Sequence, residues 1–224
     1  MMKKLLIPLM FMLLITVGCS NTSESELPAL PTPEFADGFR GEALEIDRNV
    51  NEETIDQFLH RPDSVYWDMR LLVDPAEFEN IEGDSYLSGF VEGFEVLPLP
   101  HLVTINLPEA VGTGYVGPTL FTLTEAGEYV ANFEESMSIL EWFFPQDTYI
   151  FLMCGGGGYA RDTRRLLIGL GWDENRIFNV GGHWHYDGDY NVAVRNTEGD
   201  EVTFDFWKVT YHPIDFSRLH EVEQ

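Results

Sequence analysis

The chain has 224 residues, with 38 acidic and 13 basic side chains and a formal net charge of -25. Such an excess of negative charge disfavours nucleic acid and anionic lipid head groups as partners, so neither is expected. The two cysteines, Cys19 and Cys154, are too few for a disulfide framework. The length suits one α/β domain with a full core.

The N-terminus has the layout of a bacterial secretory signal. Two lysines precede an apolar run over residues 5–17, which is too short to span a bilayer comfortably. The tetrad Thr-Val-Gly-Cys at 16–19 resembles a lipobox, which implies lipid on Cys19 and cleavage before it. We therefore expect a signal peptide over 1–18 and an extracytoplasmic, membrane-anchored lipoprotein of the cell envelope. An ordinary cleaved signal and a short anchor helix are the alternatives.

Cleavage would remove both lysines and leave a mature chain with a net charge of -27. Residues 19–48 are rich in Ser, Glu and Pro, which predicts a disordered tether that holds the domain off the membrane. Asn51 then has the position of an N-cap for a helix that ends near Pro62. Strands are predicted over 65–70 and 94–97, and 101–127 is predicted to be a structured loop.

The second half of the chain alternates strand and helix patterns. Asn132 is expected to cap a helix that ends at Pro145, and the continuous apolar run 149–153 predicts a central strand buried on both faces. A helix over 159–170 and a strand over 176–180 follow. This alternation predicts an α/β fold with a parallel sheet that is covered by helices on both faces.

The pattern changes near the C-terminus. Residues 191–195 and 202–209 alternate apolar and polar side chains around a turn, which predicts an appended antiparallel hairpin. Residues 210–224 are expected to pack back across it. The domain is thus expected to span 49–188, and the C-terminal extension 189–224.

One thiol lies where the central strand meets the next helix. The residues that follow Cys154 are Gly155, Gly156, Gly157, Gly158 and Tyr159. A helix N-terminus stabilises a thiolate and lowers its pKa, and glycines allow successive N–H groups to turn towards an anion. Cys154 is therefore the candidate nucleophile and the loop a candidate anion cradle, an arrangement suited to sulfur or phosphoryl transfer.

At this point the chain resembles the rhodanese family over about residues 50–187. The motifs that carry the resemblance are Asp68-Met69-Arg70, Glu77-Phe78, the cysteine loop, Leu170-Gly171-Trp172, and Asn179-Val180-Gly181-Gly182-His183-Trp184. The resemblance implies a five-stranded parallel sheet and an activity of thiosulfate sulfurtransferase type. Cys154 would carry sulfane sulfur as a persulfide between a small sulfur-donor anion and a thiol acceptor. No metal or organic cofactor is implied.

One residue departs from the family's loop pattern Cys-x-x-Gly-x-Arg. Tyr159 stands at the arginine position, which removes a cation that would lower the thiol pKa and hold an anionic donor. Arg161 and Arg165, with Arg164 between them, are candidates to compensate; the alternative is that these arginines pair with acids. Likewise, Asp68 and Arg70 either support the chemistry or form a structural ion pair.

Three other functions and one metal site are alternatives to this activity. A non-catalytic binding or scaffold module of the same fold is the main alternative, and redox sensing by Cys154 is a further one. A cysteine phosphatase is disfavoured because the first arginine comes one position later than Cys-x5-Arg requires. His183 and His185 with Asp187 and Asp189 are conceivable metal ligands. Histidines in such an aromatic stretch, however, more often lie at the rim of a site without binding metal.

Overall fold

The structure is a computed structural model that describes residues 29–35, 39–72, 88–104 and 115–223. The expected signal peptide, the lipidation site Cys19 and the pair Glu77-Phe78 lie outside the described residues. So do parts of the expected tether and of the expected loop at 101–127. Within the described ranges, no helix has the length and apolar character that crossing a membrane requires.

Ten strands and three α-helices form the described part of the chain, with short 3-10 turns between them. The strands are β1 (Ser64–Asp68), β2 (Gly89–Val91), β3 (Glu95–Val96), β4 (Phe121–Leu123), β5 (Tyr129–Ala131), β6 (Tyr149–Cys154), β7 (Ile177–Gly182), β8 (Asn191–Ala193), β9 (Arg195–Glu198) and β10 (Glu201–Phe204). The helices are α1 (Leu99–Leu102), α2 (Ser136–Phe143) and α3 (Gly158–Gly169).

The central sheet has the order β3-β1-β6-β7, and all three strand pairs are parallel. This confirms the predicted α/β class and the central position of the apolar run at 149–153. The sheet has four strands among the described residues, where five were expected. The short strand β2 does not join it, because it pairs antiparallel with β8 instead.

The two faces of the sheet are covered differently. One face, which includes Trp67 and Leu152, packs against α1, α2 and α3. On the other face the rings of Tyr66, Phe151 and Phe178 stack, with centroids 4.9 and 5.0 Å apart. The cover there comes from residues 50–59, which form turns rather than an α-helix. The prediction of helices on both faces is therefore wrong for the described residues.

The expected helix after Asn51 is reduced to the 3-10 turn Ile55–Gln57. The Asn51 side chain accepts a hydrogen bond from the N–H of Glu53 at 3.0 Å and donates to the carbonyl of Asp47 at 3.2 Å. Such local bonds stabilise a turn in place of the first helical turn. The apolar side chains of this segment, Ile55 among them, are nevertheless buried.

The second predicted N-cap is also wrong, because α2 begins at Ser136 rather than directly after Asn132. The Asn132 amide donates instead to the carbonyl of Thr119 at 2.8 Å, which ties α2 to the preceding segment. The helix does end before Pro145, as predicted. The stretch expected to be a loop, 101–127, contains the end of α1 and strand β4, which pairs antiparallel with β5 just beyond it.

Part of the expected tether belongs to the folded domain. Ile46 and Asp47 are buried, and the N–H of Asp47 donates to the carbonyl of Asn179 in β7 at 2.8 Å. The prediction of disorder up to residue 48 is therefore wrong for residues 39–48. Composition pointed to disorder, but the buried Ile46 and the backbone bond from Asp47 to the sheet are among the contacts that hold this segment against the domain.

The C-terminal extension differs from the expected hairpin in its pairing. The predicted first arm is divided, since β8 pairs with β2 while β9 pairs with β10. The end of the predicted second arm is the 3-10 turn Phe206–Lys208. The last described residues run along β3 and the residues just before α2 instead of crossing the hairpin. Backbone bonds join His212 to Val96 at 2.9 Å and Val222 to Asn132 at 3.0 Å.

Candidate functional site

The thiol of Cys154 lies at the carboxyl end of β6, beneath the loop that leads into α3. The N–H of Gly157 donates to the sulfur at 3.0 Å, and the backbones of Tyr159 and Ala160 hydrogen-bond to it as well. Helix α3 begins at Gly158, so these amides belong to the loop and the first helical turn. Of the five residues of the predicted cradle, Gly157 and Tyr159 thus meet the sulfur through their backbones, and Ala160, which was not predicted, joins them.

The electrostatic setting of the thiol differs from the prediction. Cys154 is 3% exposed, and burial raises its pKa, as does the nearby carboxylate of Asp68. The amides of Ala160, Gly157 and Tyr159 act in the opposite direction but do not outweigh burial. The prediction of a lowered thiol pKa is therefore wrong, and the neutral thiol is the favoured form.

The glycines of the loop are required by a close contact with Trp184. A Cβ atom at Gly155 would lie 2.5 Å from the Trp184 indole, and one at Gly156 would lie 3.0 Å from it. The backbone N–H of Trp184 also donates to the carbonyl of Gly155 at 3.1 Å. Gly157 has a φ of 95°, which side chains disfavour, whereas a Cβ at Gly158 would meet no atom within 4 Å. The loop is therefore packed tightly at its start and open near Gly158.

Beside the cysteine, Asp68 and Arg70 form a buried ion pair at the end of β1. The Arg70 Nε donates to both carboxylate oxygens, at 2.9 and 3.0 Å, and Nη2 lies 2.5 Å from Oδ2. Arg70 also donates to the carbonyl of Gly89 at 2.9 Å and stacks on Phe90. These contacts connect β1 to β2, as expected if Asp68 and Arg70 form a structural ion pair. The Asp68 carboxylate also raises the pKa of the Cys154 thiol.

The helix arginines contact acids and the N-terminal segment. Arg161 donates to Asp162 and to the carbonyl of Ala43, both at 2.8 Å. Arg165 forms an ion pair with Glu45. These contacts agree with the alternative that the arginines pair with acids. Among the described residues, neither guanidinium is one of the groups that act on the Cys154 thiol, so the geometry gives no support to compensation for the missing loop arginine.

Arg164 lies between these two arginines in α3 and also contacts an acid and the N-terminal segment. Its guanidinium stacks on Phe35, 3.6 Å from the ring centroid, and lies 3.6 Å from the Glu45 carboxylate. Burial lowers the pKa of Arg164, an effect that Glu45 opposes. The arginine cluster of α3 therefore secures the N-terminal segment to the domain.

The two histidines that flank Trp184 do not share one face, because 183–185 forms a 3-10 turn. His183 is buried and its Nε2 lies 2.9 Å from the Oδ1 of Asn191, while His185 is exposed. Burial, and then the charge of Arg70, lower the pKa of His183, so the neutral ring is favoured. Within the described ranges, no group of three or more His, Cys, Asp or Glu side chains is arranged to hold a metal ion.

One residue of the site was missed in the sequence. Asn179 is fully buried in β7, and its side-chain amide donates to the carbonyl of Gly157 at 3.1 Å. The signal was present, because a polar Asn interrupts the otherwise apolar strand Ile177–Gly182. A buried amide needs partners for both its N–H groups and its oxygen, and here the cysteine loop supplies one of them.

Comparison of the chain with protein-family models, with curated proteins and with solved structures finds no match.

Proposed function

We propose that the chain is a lipid-anchored, extracytoplasmic rhodanese-like protein that transfers sulfane sulfur through a persulfide on Cys154. The observation that supports this function best is the position of the thiol. Its sulfur accepts the Gly157 N–H at 3.0 Å under a glycine loop, at the carboxyl end of a parallel strand. Backbone amides aimed at a sulfur stabilise negative charge on it and on a sulfur atom bound to it.

The proposed cycle consists of two nucleophilic displacements at sulfur. After Cys154 loses its proton to solvent, its thiolate attacks the outer sulfur of a donor such as thiosulfate. The bond between the two donor sulfurs breaks, sulfite leaves with the electron pair, and a Cys154 persulfide remains. An acceptor thiolate then attacks the terminal sulfur and departs as a new persulfide, which restores the Cys154 thiolate. The exchange balances without a redox cofactor.

The burial of Cys154 sets the expected pH dependence of the first step. Because the thiolate is the nucleophile and burial raises the thiol pKa, the rate of persulfide formation should rise as the pH increases above neutrality. Because Cys154 is only 3% exposed, a small anionic donor is proposed rather than a bulky one.

The test is the intact mass of the purified chain after incubation with thiosulfate or polysulfide. A Cys19→Ser background removes the other cysteine, so that any gain belongs to Cys154. We expect the mass of one added sulfur atom, its loss on treatment with a thiol, and no gain after Cys154→Ser. Absence of an adduct with both donors between pH 7 and 9 would refute sulfur transfer.

The second candidate is a non-catalytic rhodanese-like binding or scaffold module. It is favoured by the raised pKa of the Cys154 thiol and by Tyr159 at the position of the loop arginine. It predicts no sulfur adduct and no functional loss in Cys154→Ser. Redox sensing is the weaker proposal, because peroxide attacks exposed thiolates and Cys154 is buried as a thiol.

The membrane anchor is proposed separately from the chemistry. Its support is the sequence alone, namely the apolar run 5–17 and the Thr-Val-Gly-Cys tetrad that ends at Cys19. In a bacterial host, the processed chain should partition into the detergent phase, and Cys19→Ser should abolish this. Unchanged partitioning of Cys19→Ser would contradict lipidation at this residue.

A further inference from the structure

Asn179 has hydrogen-bond partners in three separate parts of the site. Its Nδ2 donates to the carbonyl of Gly157 at 3.1 Å and to that of Leu44 at 2.8 Å. Its Oδ1 accepts the N–H of Gly181 at 3.0 Å. Its own backbone carbonyl accepts the N–H of Asp47 at 2.8 Å. One buried side chain thus joins the cysteine loop, the N-terminal segment and the end of β7.

The bond to Gly157 fixes the residue that donates to the thiol. The Gly157 carbonyl accepts both the Asn179 amide and, at 3.0 Å, the N–H of Arg161. A Cβ at Gly157 would lie 3.0 Å from Ile46 and 3.4 Å from Gly181, so the residue is also enclosed on its side-chain side. With its carbonyl held and its surroundings packed, Gly157 has little freedom to turn its N–H away from the sulfur.

The end of β7 is shaped to allow this contact. The register between β6 and β7 shifts between Leu152 and Met153, so that Leu152 pairs with Asn179 and Met153 pairs with Gly181. Gly181 has a φ of 103°, and its N–H turns to the Asn179 oxygen. The irregularity thereby satisfies the amide oxygen and leaves the Nδ2 group for the cysteine loop.

We infer that Asn179 is the positioning residue of the Cys154 site: its amide holds the Gly157 carbonyl and thereby keeps the Gly157 N–H directed at the sulfur. Asn179 does not touch the thiol and acts only through Gly157. Its importance for turnover rests on the proposed sulfur transfer. Its effect on the thiol itself does not depend on that function.

The test uses Asn179→Leu in the Cys19→Ser chain, since leucine has a similar shape and no hydrogen-bonding group. The matched control is Asn132→Leu, which removes another side-chain amide that donates to a backbone carbonyl, at 2.8 Å, outside the cysteine loop. Two readouts are followed: amide hydrogen exchange at Gly157, and the pH midpoint of Cys154 alkylation. If Asn179 had only a general structural role, Asn179→Leu would lower stability, as Asn132→Leu does. It would then not change either readout more than Asn132→Leu.

We expect Asn179→Leu to abolish exchange protection at Gly157 and to raise the alkylation midpoint by about one pH unit. That shift is a tenfold loss of thiolate, equivalent to one hydrogen bond of about 1.4 kcal/mol. Asn132→Leu should leave both readouts unchanged. If Asn179→Leu does not fold, the smaller change Asn179→Ser is measured in the same way.

Retained protection at Gly157, or a midpoint shift no larger than that of Asn132→Leu, would overturn the role of Asn179. A lowered midpoint would also overturn it, because it would mean that loosening the loop relieves burial more than it removes a donor. Failure of the wild-type chain to take up sulfur is a different result. It would refute the proposed function while both readouts still report on Asn179.

Discussion

Replacing Asp68 with asparagine should lower the free energy of unfolding by about 3–5 kcal/mol, the cost of removing one partner from a buried ion pair. Asp68 is 0% exposed and Arg70 is 4% exposed, so solvent cannot take over from the lost carboxylate. The guanidinium would keep the Gly89 carbonyl and the Phe90 ring but would lose this buried carboxylate as a counter-charge. Domains are typically stable by about 5–15 kcal/mol, so this loss is a large fraction of the total.

The chain offers a matched control in Arg61 and Asp63, which have the same spacing in sequence. Arg61 contacts that carboxylate at 2.9 and 3.0 Å, but the Asp63 side chain is 42% exposed. Because solvent screens an exposed pair, Asp63→Asn should cost at most about 1 kcal/mol. Urea unfolding followed by tryptophan fluorescence measures both variants on the same scale.

The same change should act on the thiol in the opposite sense. The Asp68 carboxylate is among the causes that raise the pKa of Cys154, so Asp68→Asn should lower that pKa and accelerate alkylation at neutral pH. Reduced stability would thus accompany increased thiol reactivity. A destabilisation equal to that of Asp63→Asn would refute the importance of the buried pair. Slower alkylation would refute the electrostatic link to Cys154.

Further predictions concern the loop and an exposed histidine. Gly155→Ala should lower the free energy of unfolding in urea by about 1–3 kcal/mol, because the new methyl group would lie 2.5 Å from the Trp184 indole. Adding Trp184→Ala should recover most of this loss. If the two changes were additive in the double variant, the contact would be contradicted. Trp184→Ala alone should speed Cys154 alkylation at fixed pH, since the indole packs on the loop beside the thiol; an unchanged rate would show that other groups shield it. The Glu135 carboxylate accepts a hydrogen bond from the His220 ring and thereby raises the pKa of His220. The NMR titration midpoint of His220 should therefore lie above the ordinary value and return to it in Glu135→Gln. An equal midpoint in both proteins would contradict the pairing. Stability from this pair is present below the unfolded pKa of His220 and is lost as the pH rises through the folded one.

The sequence predicted the part of the fold that local pattern determines. The run from Tyr149 to Cys154, the helix after it and β7 follow from continuous apolar stretches and from a glycine that ends the helix. The two misplaced helix starts, at Asn51 and Asn132, have a common cause. Asparagine side chains can bond to turns or to distant carbonyls as readily as to a helix N-terminus, and tertiary contacts decide between them.

In the candidate site, too, the features set by local sequence were predictable and those set by tertiary contacts were not. The cysteine and its glycines were predictable, since their spacing and the following helix are local features. The sign of the Cys154 pKa shift was not, because burial and the Asp68 carboxylate depend on how β1 and β6 pair. The role of Asn179 depends on a register shift between β6 and β7, which the sequence marks only by one polar residue and two glycines in a strand.

The most direct test of the central proposal is the mass of the Cys19→Ser chain after incubation with thiosulfate, followed by peptide mapping. Sulfur transfer predicts one added sulfur atom on the peptide that contains Cys154, formed faster as the pH rises, and removed by an acceptor thiol. An unchanged mass at every pH, with Cys154 still open to alkylation, would contradict it and leave the non-catalytic module as the better proposal.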